Sequence, residues 1–126
     1  MTGSSVSDRH LASEPPRLVL LVTKDEFGQG PPELGWVLMR SFLKALAGSE
    51  TKPERAIFVN TGVRLTTEGS EVLSDIKALE NTGVEILSCG TCLDYFDLKE
   101  KLSVGKVTNM RETVAALMRA HRVVSL

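Results

Sequence analysis

Short, continuous runs of apolar residues alternate with longer segments of helical periodicity along most of the chain. Such runs, several of them rich in β-branched residues, are typical of strands buried on both faces of a parallel sheet. We predict strands at Leu18–Val22, Ala56–Val59, Val84–Leu87 and Arg122–Leu126, with a short additional strand at Lys106–Thr108. The alternation predicts a single α/β domain: a mostly parallel sheet of about five strands with helices on both faces.

Apolar residues spaced three or four positions apart predict the intervening helices and the side that each turns to the core. The stripes are Leu34, Leu38, Phe42 and Leu46 with Val37 and Ala45 beside them, then Val72, Ile76 and Leu79, then Met110, Val114, Leu117 and Met118. Asn109 stands at the expected N-cap of the last helix, and Glu112, three residues later, completes a capping-box pattern.

Length and charge exclude several classes of protein. The chain has 126 residues, which suits one domain and argues against two. Its 15 lysines and arginines are balanced by 16 acidic residues without any basic cluster, so we expect no nucleic-acid binding. No apolar run is long enough to span a bilayer, so no membrane partner is expected.

The first 16 residues are polar and rich in Ser, Pro and Gly. They contain no apolar core of a signal peptide and too few large aliphatic residues to fold. We therefore expect a disordered N-terminal tail at 1–16 and a folded domain at 17–126. Two cysteines are too few for a secreted disulfide scaffold, and the predicted location is the cytoplasm.

The only two cysteines, Cys89 and Cys92, lie directly after the third predicted strand, separated by Gly90 and Thr91. Thr91 and Asp94 fit a capping box, which would place Cys92 in the first turn of a helix. Free N–H groups there favour a thiolate, while Cys89 would end the strand nearby. Because thiolates attack disulfides and sulfane sulfur, the pair predicts nucleophilic sulfur chemistry, with helix placement favouring Cys92 as the nucleophile.

Three other interpretations of this pair remain open. Cys89 and Cys92 would pack as small buried hydrophobes if they carry no chemistry. A structural zinc ion needs four ligands, and only His10 and His121 would be available besides the cysteines, so no metal is predicted unless subunits share a site. The CxxC spacing also occurs in thioredoxin-like dithiol oxidoreductases, although no aromatic residue precedes Cys89.

Other candidate binding residues follow the first and second predicted strands, at the edge where ligands collect in parallel sheets. The predicted substrate-binding residues are Gly90, Thr91, Asn60, Thr61 and Gly62, with Arg64 as the candidate cation. The glycines after the first strand, at positions 28, 30 and 35, do not have dinucleotide-binding spacing, and no P-loop lysine follows them. We therefore predict no cofactor, and this loop is expected to shape a pocket wall or a subunit contact.

Longer stretches carry a family resemblance. The segments FVNTGVRLTTEGSEVL and LENTGVEILSCGTCLDYFDLKEKLSVGKVTNM resemble the DsrE/DsrF-like domain of YedF-type selenium-metabolism proteins, and the stretch from Leu18 to Leu46 is similar to the start of that domain. The resemblance implies a DsrE-like fold, a homo-oligomer, and a sulfurtransferase-like role in sulfur relay or selenium handling. The family's cysteine motif falls on Cys89 and Cys92. Trp36, Tyr95 and Phe96 are candidates for an apolar subunit interface.

One departure from the family pattern concerns the sulfur donor. Many YedF-type proteins carry an N-terminal TusA-like domain with a CPxP motif, and Pro15-Pro16 is not preceded by a cysteine. The resemblance therefore implies a TusA-like carrier acting in trans, if one acts at all. The expected function is carriage or reduction of a chalcogen on the cysteine pair. A thioredoxin-like oxidoreductase and a non-catalytic oligomeric binding or regulatory protein are the alternatives.

Overall fold

The computed structural model describes residues 17–126, and the tail predicted at 1–16 lies outside the described residues. Five strands form one sheet in the order β4-β3-β2-β1-β5, and every neighbouring pair is parallel. The strands are β1 (Leu18–Val22), β2 (Arg55–Phe58), β3 (Glu85–Cys89), β4 (Lys106–Thr108) and β5 (Arg122–Ser125). The predicted single α/β domain with a five-stranded parallel sheet is confirmed.

Four α-helices connect these strands: α1 (Pro32–Ala47), α2 (Leu73–Asn81), α3 (Gly90–Tyr95) and α4 (Met110–Arg119). Two 3₁₀ helices, Asn60–Thr66 and Lys99–Lys101, lie in the connections that follow β2 and α3. α1 begins with Pro32 at its first position, where the missing N–H costs no hydrogen bond. None of the helices within 17–126 is both long and apolar enough to cross a membrane.

The strand order explains how the helices are shared between the two faces of the sheet. From β1 to β4 each strand is added on the same side of the one before, and right-handed connections then place the intervening helices on one face. The connection from β4 to β5 runs back across the sheet, so its helix, α4, covers the opposite face. We call these the first face and the second face.

The core differs in extent between the two faces. On the first face sixteen buried residues form one cluster, including Met39, Leu43, Phe58 and Ile76. On the second face the cluster of buried residues has four members, Val19, Ile57, Leu87 and Ala116. In β1 and β2 alternate residues supply the two clusters, as the two-residue period of a strand requires.

The predicted apolar stripe of α1 is correct only in part. Phe42 and Leu46 pack half-buried against the core. The fully buried residues are Gly35, Met39 and Leu43, and the exposed ones are Leu34, Val37, Leu38 and Ala45. Apolar residues surround this helix, so periodicity alone did not determine which side faces the sheet. Gly35 sets the rotation, because a Cβ there would lie 2.8 Å from the Cβ of Glu26 in the preceding loop.

The predicted stripe of α4 is also correct only in part. Leu117 packs half-buried against the second cluster, but the buried residues are Thr113 and Ala116, whereas Met110, Val114 and Met118 are exposed. The predicted N-cap is confirmed, because the side chain of Asn109 accepts the N–H of Glu112 at 2.9 Å. The reciprocal half of the capping box is not formed, since the carboxylate of Glu112 accepts the hydroxyl of Thr108 instead. The stripe of α2 is confirmed, with Val72, Ile76 and Leu79 all buried.

Candidate functional site: a cysteine pair at the carboxyl edge of the sheet

The cysteine motif joins β3 directly to α3. Cys89 is the last residue of the strand and the N-cap of the helix, and Cys92 is the third helical residue. The predicted positions of both cysteines are therefore confirmed, but the predicted cap is wrong. The helix begins at Gly90 rather than after Thr91, so Thr91 is an exposed helical residue and Asp94 pairs with Lys99 at 3.3 Å.

The two thiols differ in their access to solvent. Cys89 is buried, with 6% of its surface exposed, whereas Cys92 is half-buried. Both are free thiols, and they lie close enough for Cys89 to perturb the pKa of Cys92. Cys92 is thus the more accessible of the two thiols.

A backbone N–H from another element points at Cys92. The N–H of Asn60 lies 3.0 Å from the Sγ atom of Cys92 and donates to it. Asn60 begins the 3₁₀ helix after β2 with φ of 53°, a left-handed conformation that asparagine tolerates better than most residues. Backbone strain of this kind is concentrated at functional sites, and here it occurs at the residue whose amide contacts the exposed thiol.

The pKa of the Cys92 thiol is raised above its ordinary value. Burial is the largest cause and the neighbouring Cys89 adds to it, whereas the N–H of Asn60 acts in the opposite direction. The expectation that the helix N-terminus makes Cys92 a ready thiolate is therefore wrong. α3 has only six residues and therefore few aligned peptide dipoles, and apolar packing around the sulfur outweighs them.

The cysteine motif lies beside two neighbouring strands that are followed by helices on opposite faces of the sheet. β3 leads into α3 on the first face, and its neighbour β4 leads into α4 on the second face. Cys89 is paired in register with Thr108, the last residue of β4. In open parallel sheets such a divergence opens a crevice beyond the carboxyl ends of the strands, where ligands bind. The cysteine pair occupies this position.

The residues predicted to bind substrate after β2 have separate roles. The hydroxyl of Thr61 accepts the N–H of Asp25 at 3.2 Å and so fixes the loop after β1. Gly62 is buried against β1, where a Cβ would lie 2.5 Å from the carbonyl oxygen of Val22. Its own N–H is bonded to Val59, which leaves Gly62 without a donor for a ligand. Of these residues, Asn60 contacts a cysteine.

Two interactions near the site were not predicted from the sequence. The guanidinium of Arg64 stacks on the ring of Phe96, with Cζ 4.7 Å from the ring centroid. Thr66 and Ser88 share a buried hydrogen bond of 2.7 Å between their hydroxyls, which ties the 3₁₀ helix to β3 one residue before Cys89. A signal for the second existed, since Ser88 is a polar residue between the apolar Leu87 and Cys89.

Cavities and metal ligands complete the description. A cavity of about 150 Å³ between the loop after β1 and the 3₁₀ helix includes Asp25 and Arg64 in its wall. Another of about 400 Å³ lies on the second face, by the first residues of β2, β3 and β4, on the far side of the sheet from the cysteines. Residues 17–126 contain no cluster of three His, Cys, Asp or Glu side chains that would hold a metal ion.

Solved structures with this architecture include two of low sequence identity. The ychN protein from E. coli superposes with a TM-score of 0.67 at 14% identity, covering 88% of this chain and 99% of its own. A protein of unknown function from Methanobacterium thermoautotrophicum, MTH1491, superposes with a TM-score of 0.63 at 19% identity, with the same coverage of both chains. This chain has the DsrE-like fold. No family model and no curated protein matches the sequence.

Proposed function

We propose that this chain handles sulfur or selenium, accepting a chalcogen atom on Cys92 as a persulfide or selenosulfide and resolving it with Cys89. The observation that carries the proposal is the contact of 3.0 Å between the N–H of Asn60 and the half-buried Cys92 sulfur, with the buried Cys89 beside it. An amide N–H donated to sulfur stabilises the anion that a thiolate or a persulfide carries.

The chemistry needs two thiols. The Cys92 thiolate attacks the outer sulfur atom of a sulfane donor, a new S–S bond forms, and the donor leaves with the electron pair of the broken bond. The Cys89 thiolate then attacks the Cys92 sulfur, a disulfide forms, and sulfide leaves. The sulfane sulfur gains the two electrons that the two thiols lose. A dithiol or thiol reductant from outside then restores both cysteines.

The finer assignment rests on the sequence resemblance to YedF-type selenium-metabolism proteins. Within that proposal the chain acts in the cytoplasm as a homo-oligomer, with a TusA-like carrier in trans as one source of the persulfide. The DsrE-like fold supports the broader proposal, because it places the cysteine motif at an edge of the sheet suited to ligands.

Thiol–disulfide exchange is a second candidate, because the same two thiols suit it. The proximity of Cys89 to Cys92 would serve a dithiol oxidoreductase that reduces disulfides through a mixed disulfide on Cys92. The two functions differ in their covalent intermediate. A chalcogen carrier holds a single extra sulfur or selenium atom, whereas an oxidoreductase holds the thiol part of its substrate.

The test is intact-protein mass spectrometry after incubation with a sulfane-sulfur donor and, separately, with selenite and thiol. Wild type is compared with Cys89→Ser and Cys92→Ser. We expect Cys89→Ser to accumulate one added sulfur atom, because nothing resolves the persulfide, and Cys92→Ser to accumulate none. Ser74→Ala, at an exposed position of α2 that leaves both thiols in place, is the control and should behave as wild type.

The opposite results are equally clear. An adduct on Cys89 that persists without Cys92 would reverse the assigned roles. No adduct in any variant, with both thiols resistant to alkylation in the folded protein, would show that the cysteines are structural and would end the proposal. Reduction of a small disulfide without any persulfide would support the oxidoreductase.

A further inference from the structure

Arg64, at the carboxyl edge of the sheet, is only weakly paired with other residues. Its side chain is about half exposed, and among residues 17–126 its carboxylate contact is with Asp25 at 4.0 Å, the limit of an ion pair. Two lysines nearby have shorter polar contacts. Lys99 lies 3.3 Å from the carboxylate of Asp94, and Lys24 donates to a backbone carbonyl oxygen at 3.3 Å. Arg64 therefore keeps N–H groups for another anion.

Two contacts between the 3₁₀ helix after β2 and the segment from Cys92 to Phe96 place Arg64 relative to Cys92. Asn60 contacts Cys92, and four residues further along each element Arg64 contacts Phe96. The N–H of Phe96 donates to the carbonyl of Cys92, so Phe96 lies one helical turn beyond it on the same side of α3. Arg64 thus lies beside the turn of the chain that follows Cys92.

A guanidinium one turn beyond the attacking sulfur suits one class of sulfur donor. When a thiolate attacks a sulfane sulfur in line, the leaving atom lies two S–S bonds from the attacking sulfur, about 4 Å away. An oxyanion on that leaving atom would then fall within reach of a guanidinium one turn away, and planar guanidinium suits oxyanions especially well. In a persulfide of a peptide thiol the carboxylates lie several bonds further off.

We infer that Arg64 determines donor specificity by binding the oxyanion leaving group of thiosulfate or a thiosulfonate while Cys92 takes the outer sulfur. This inference rests on the proposed function. With thiosulfate, the Cys92 thiolate forms a bond to the outer sulfur, the S–S bond of the donor breaks, and sulfite leaves with its electron pair. The product is the Cys92 persulfide anion, and no other oxidant or reductant takes part in this step.

The test compares two donors that leave the same persulfide on Cys92. Thiosulfate loses sulfite, whereas cysteamine persulfide loses an aminothiol without an oxyanion. The rate of single-turnover charging is followed by intact mass in the Cys89→Ser background. We expect Arg64→Gln to slow charging by thiosulfate about tenfold, the size expected for loss of a charge-assisted hydrogen bond, and charging by cysteamine persulfide by less than twofold. Arg64→Lys should recover part of the thiosulfate rate.

Asp25 provides a change in the opposite direction. Asp25→Asn removes the carboxylate that competes for Arg64, so charging by thiosulfate should become faster, an effect that loss of structure would not produce. The matched control is Arg119→Gln, which makes the same charge change at the opposite edge of the sheet and should leave both donors unaffected. Thermal unfolding of each variant confirms that it is folded.

The outcomes separate the two proposals. Equal slowing of both donors by Arg64→Gln, or no slowing of either, overturns the role of Arg64 while the persulfide on Cys92 leaves the proposed function intact. Failure of the parent Cys89→Ser protein to take sulfur from either donor overturns both. If Arg64→Gln does not fold, the rates of Arg64→Lys and Asp25→Asn decide the question.

Discussion

The two faces of the sheet differ in the size of the core that each one carries. The first face is covered by α1, α2, α3 and the 3₁₀ helix, and it contains sixteen of the buried core residues in the described chain. The second face is covered by α4, and its cluster has four. Both cysteines pack with the first cluster, so the cysteine pair is supported by the larger of the two cores.

This difference teaches that helix distribution and site location have one cause. Right-handed connections place successive helices on the first face until the chain runs back across the sheet after β4. The larger core of the first face and the opposite directions of the chain after β3 and β4 therefore have the same origin. The edge of the sheet at the cysteine pair is therefore bordered by the larger core cluster. A rigid support of this kind suits a site in which one N–H must stay aimed at one sulfur.

The largest expected effect compares the same substitution on the two faces. Leu43→Ala on α1 removes a fully buried side chain from the first cluster, and we expect a loss of about 3 kcal/mol in the free energy of unfolding. Leu117→Ala on α4 removes a partly buried side chain and should cost about 1 kcal/mol. Urea denaturation of the two variants measures both values. Equal losses would contradict the conclusion that the second face has the smaller core.

The next effect concerns the thiol on the first face. Because the pKa of Cys92 is raised, its alkylation rate should increase about tenfold for each pH unit between 6 and 8 and continue to rise beyond about 8.5, the pKa of an ordinary cysteine. Cys89→Ala should lower the pKa of Cys92, because Cys89 contributes to raising it. Iodoacetamide kinetics against pH provide the measurement. A plateau of the rate below pH 8 in wild type would refute the raised pKa.

A smaller effect is expected at the hydrogen bond between Thr66 and Ser88, which joins the 3₁₀ helix after β2 to β3. Thr66→Val leaves the buried hydroxyl of Ser88 without its partner, so we expect a loss of about 1–2 kcal/mol in the free energy of unfolding. Adding Ser88→Ala should restore part of this loss, because both polar groups are then gone. Additive losses in the double variant, measured by the same denaturation, would show that the two hydroxyls are not coupled.

The smallest effect lies on the second face, where Arg55 and Lys106 flank Glu85. The hydrogen bond from Arg55 is the main cause that lowers the pKa of Glu85, so the pair stabilises the fold at neutral pH. This stabilisation is fully present above the ordinary pKa of a glutamate and is lost as the pH falls through the lowered pKa. Since the groups are more than one-third exposed, Glu85→Gln should cost about 0.5 kcal/mol at pH 7. A difference that grew at acidic pH would have the wrong sign.

Much of the fold was predictable because strands carry an unambiguous signal. The run at Leu18–Val22 is apolar at every position, and the structure places β1 there with the predicted bounds. The orientation of α1 was not predictable from periodicity, because Leu34 and Leu38 form as regular a stripe as Met39 and Leu43. Only the close fit of its first turn against the preceding loop decides between them, and that contact is tertiary.

The site divides in the same way. The spacing and the position after a strand identified Cys89 and Cys92, and the structure brings them together at the expected edge. The N–H of Asn60 was not predictable as a partner of the sulfur, because a backbone amide has no sequence signature and its direction depends on a left-handed φ. The stacking of Arg64 on Phe96 likewise joins residues from two connections that only the folded sheet places side by side.

Gly62 gives this site a narrow mutational tolerance. The 3₁₀ helix rests so closely on β1 that even an alanine methyl group would overlap the carbonyl of Val22, and backbone atoms cannot move aside as a side chain can. The whole segment would have to lift, and Asn60 would lift with it. In a library that samples every residue at this position, variants that keep the fold of this segment should retain glycine. A residue without a side chain thus sets the distance between the N–H of Asn60 and the Cys92 sulfur.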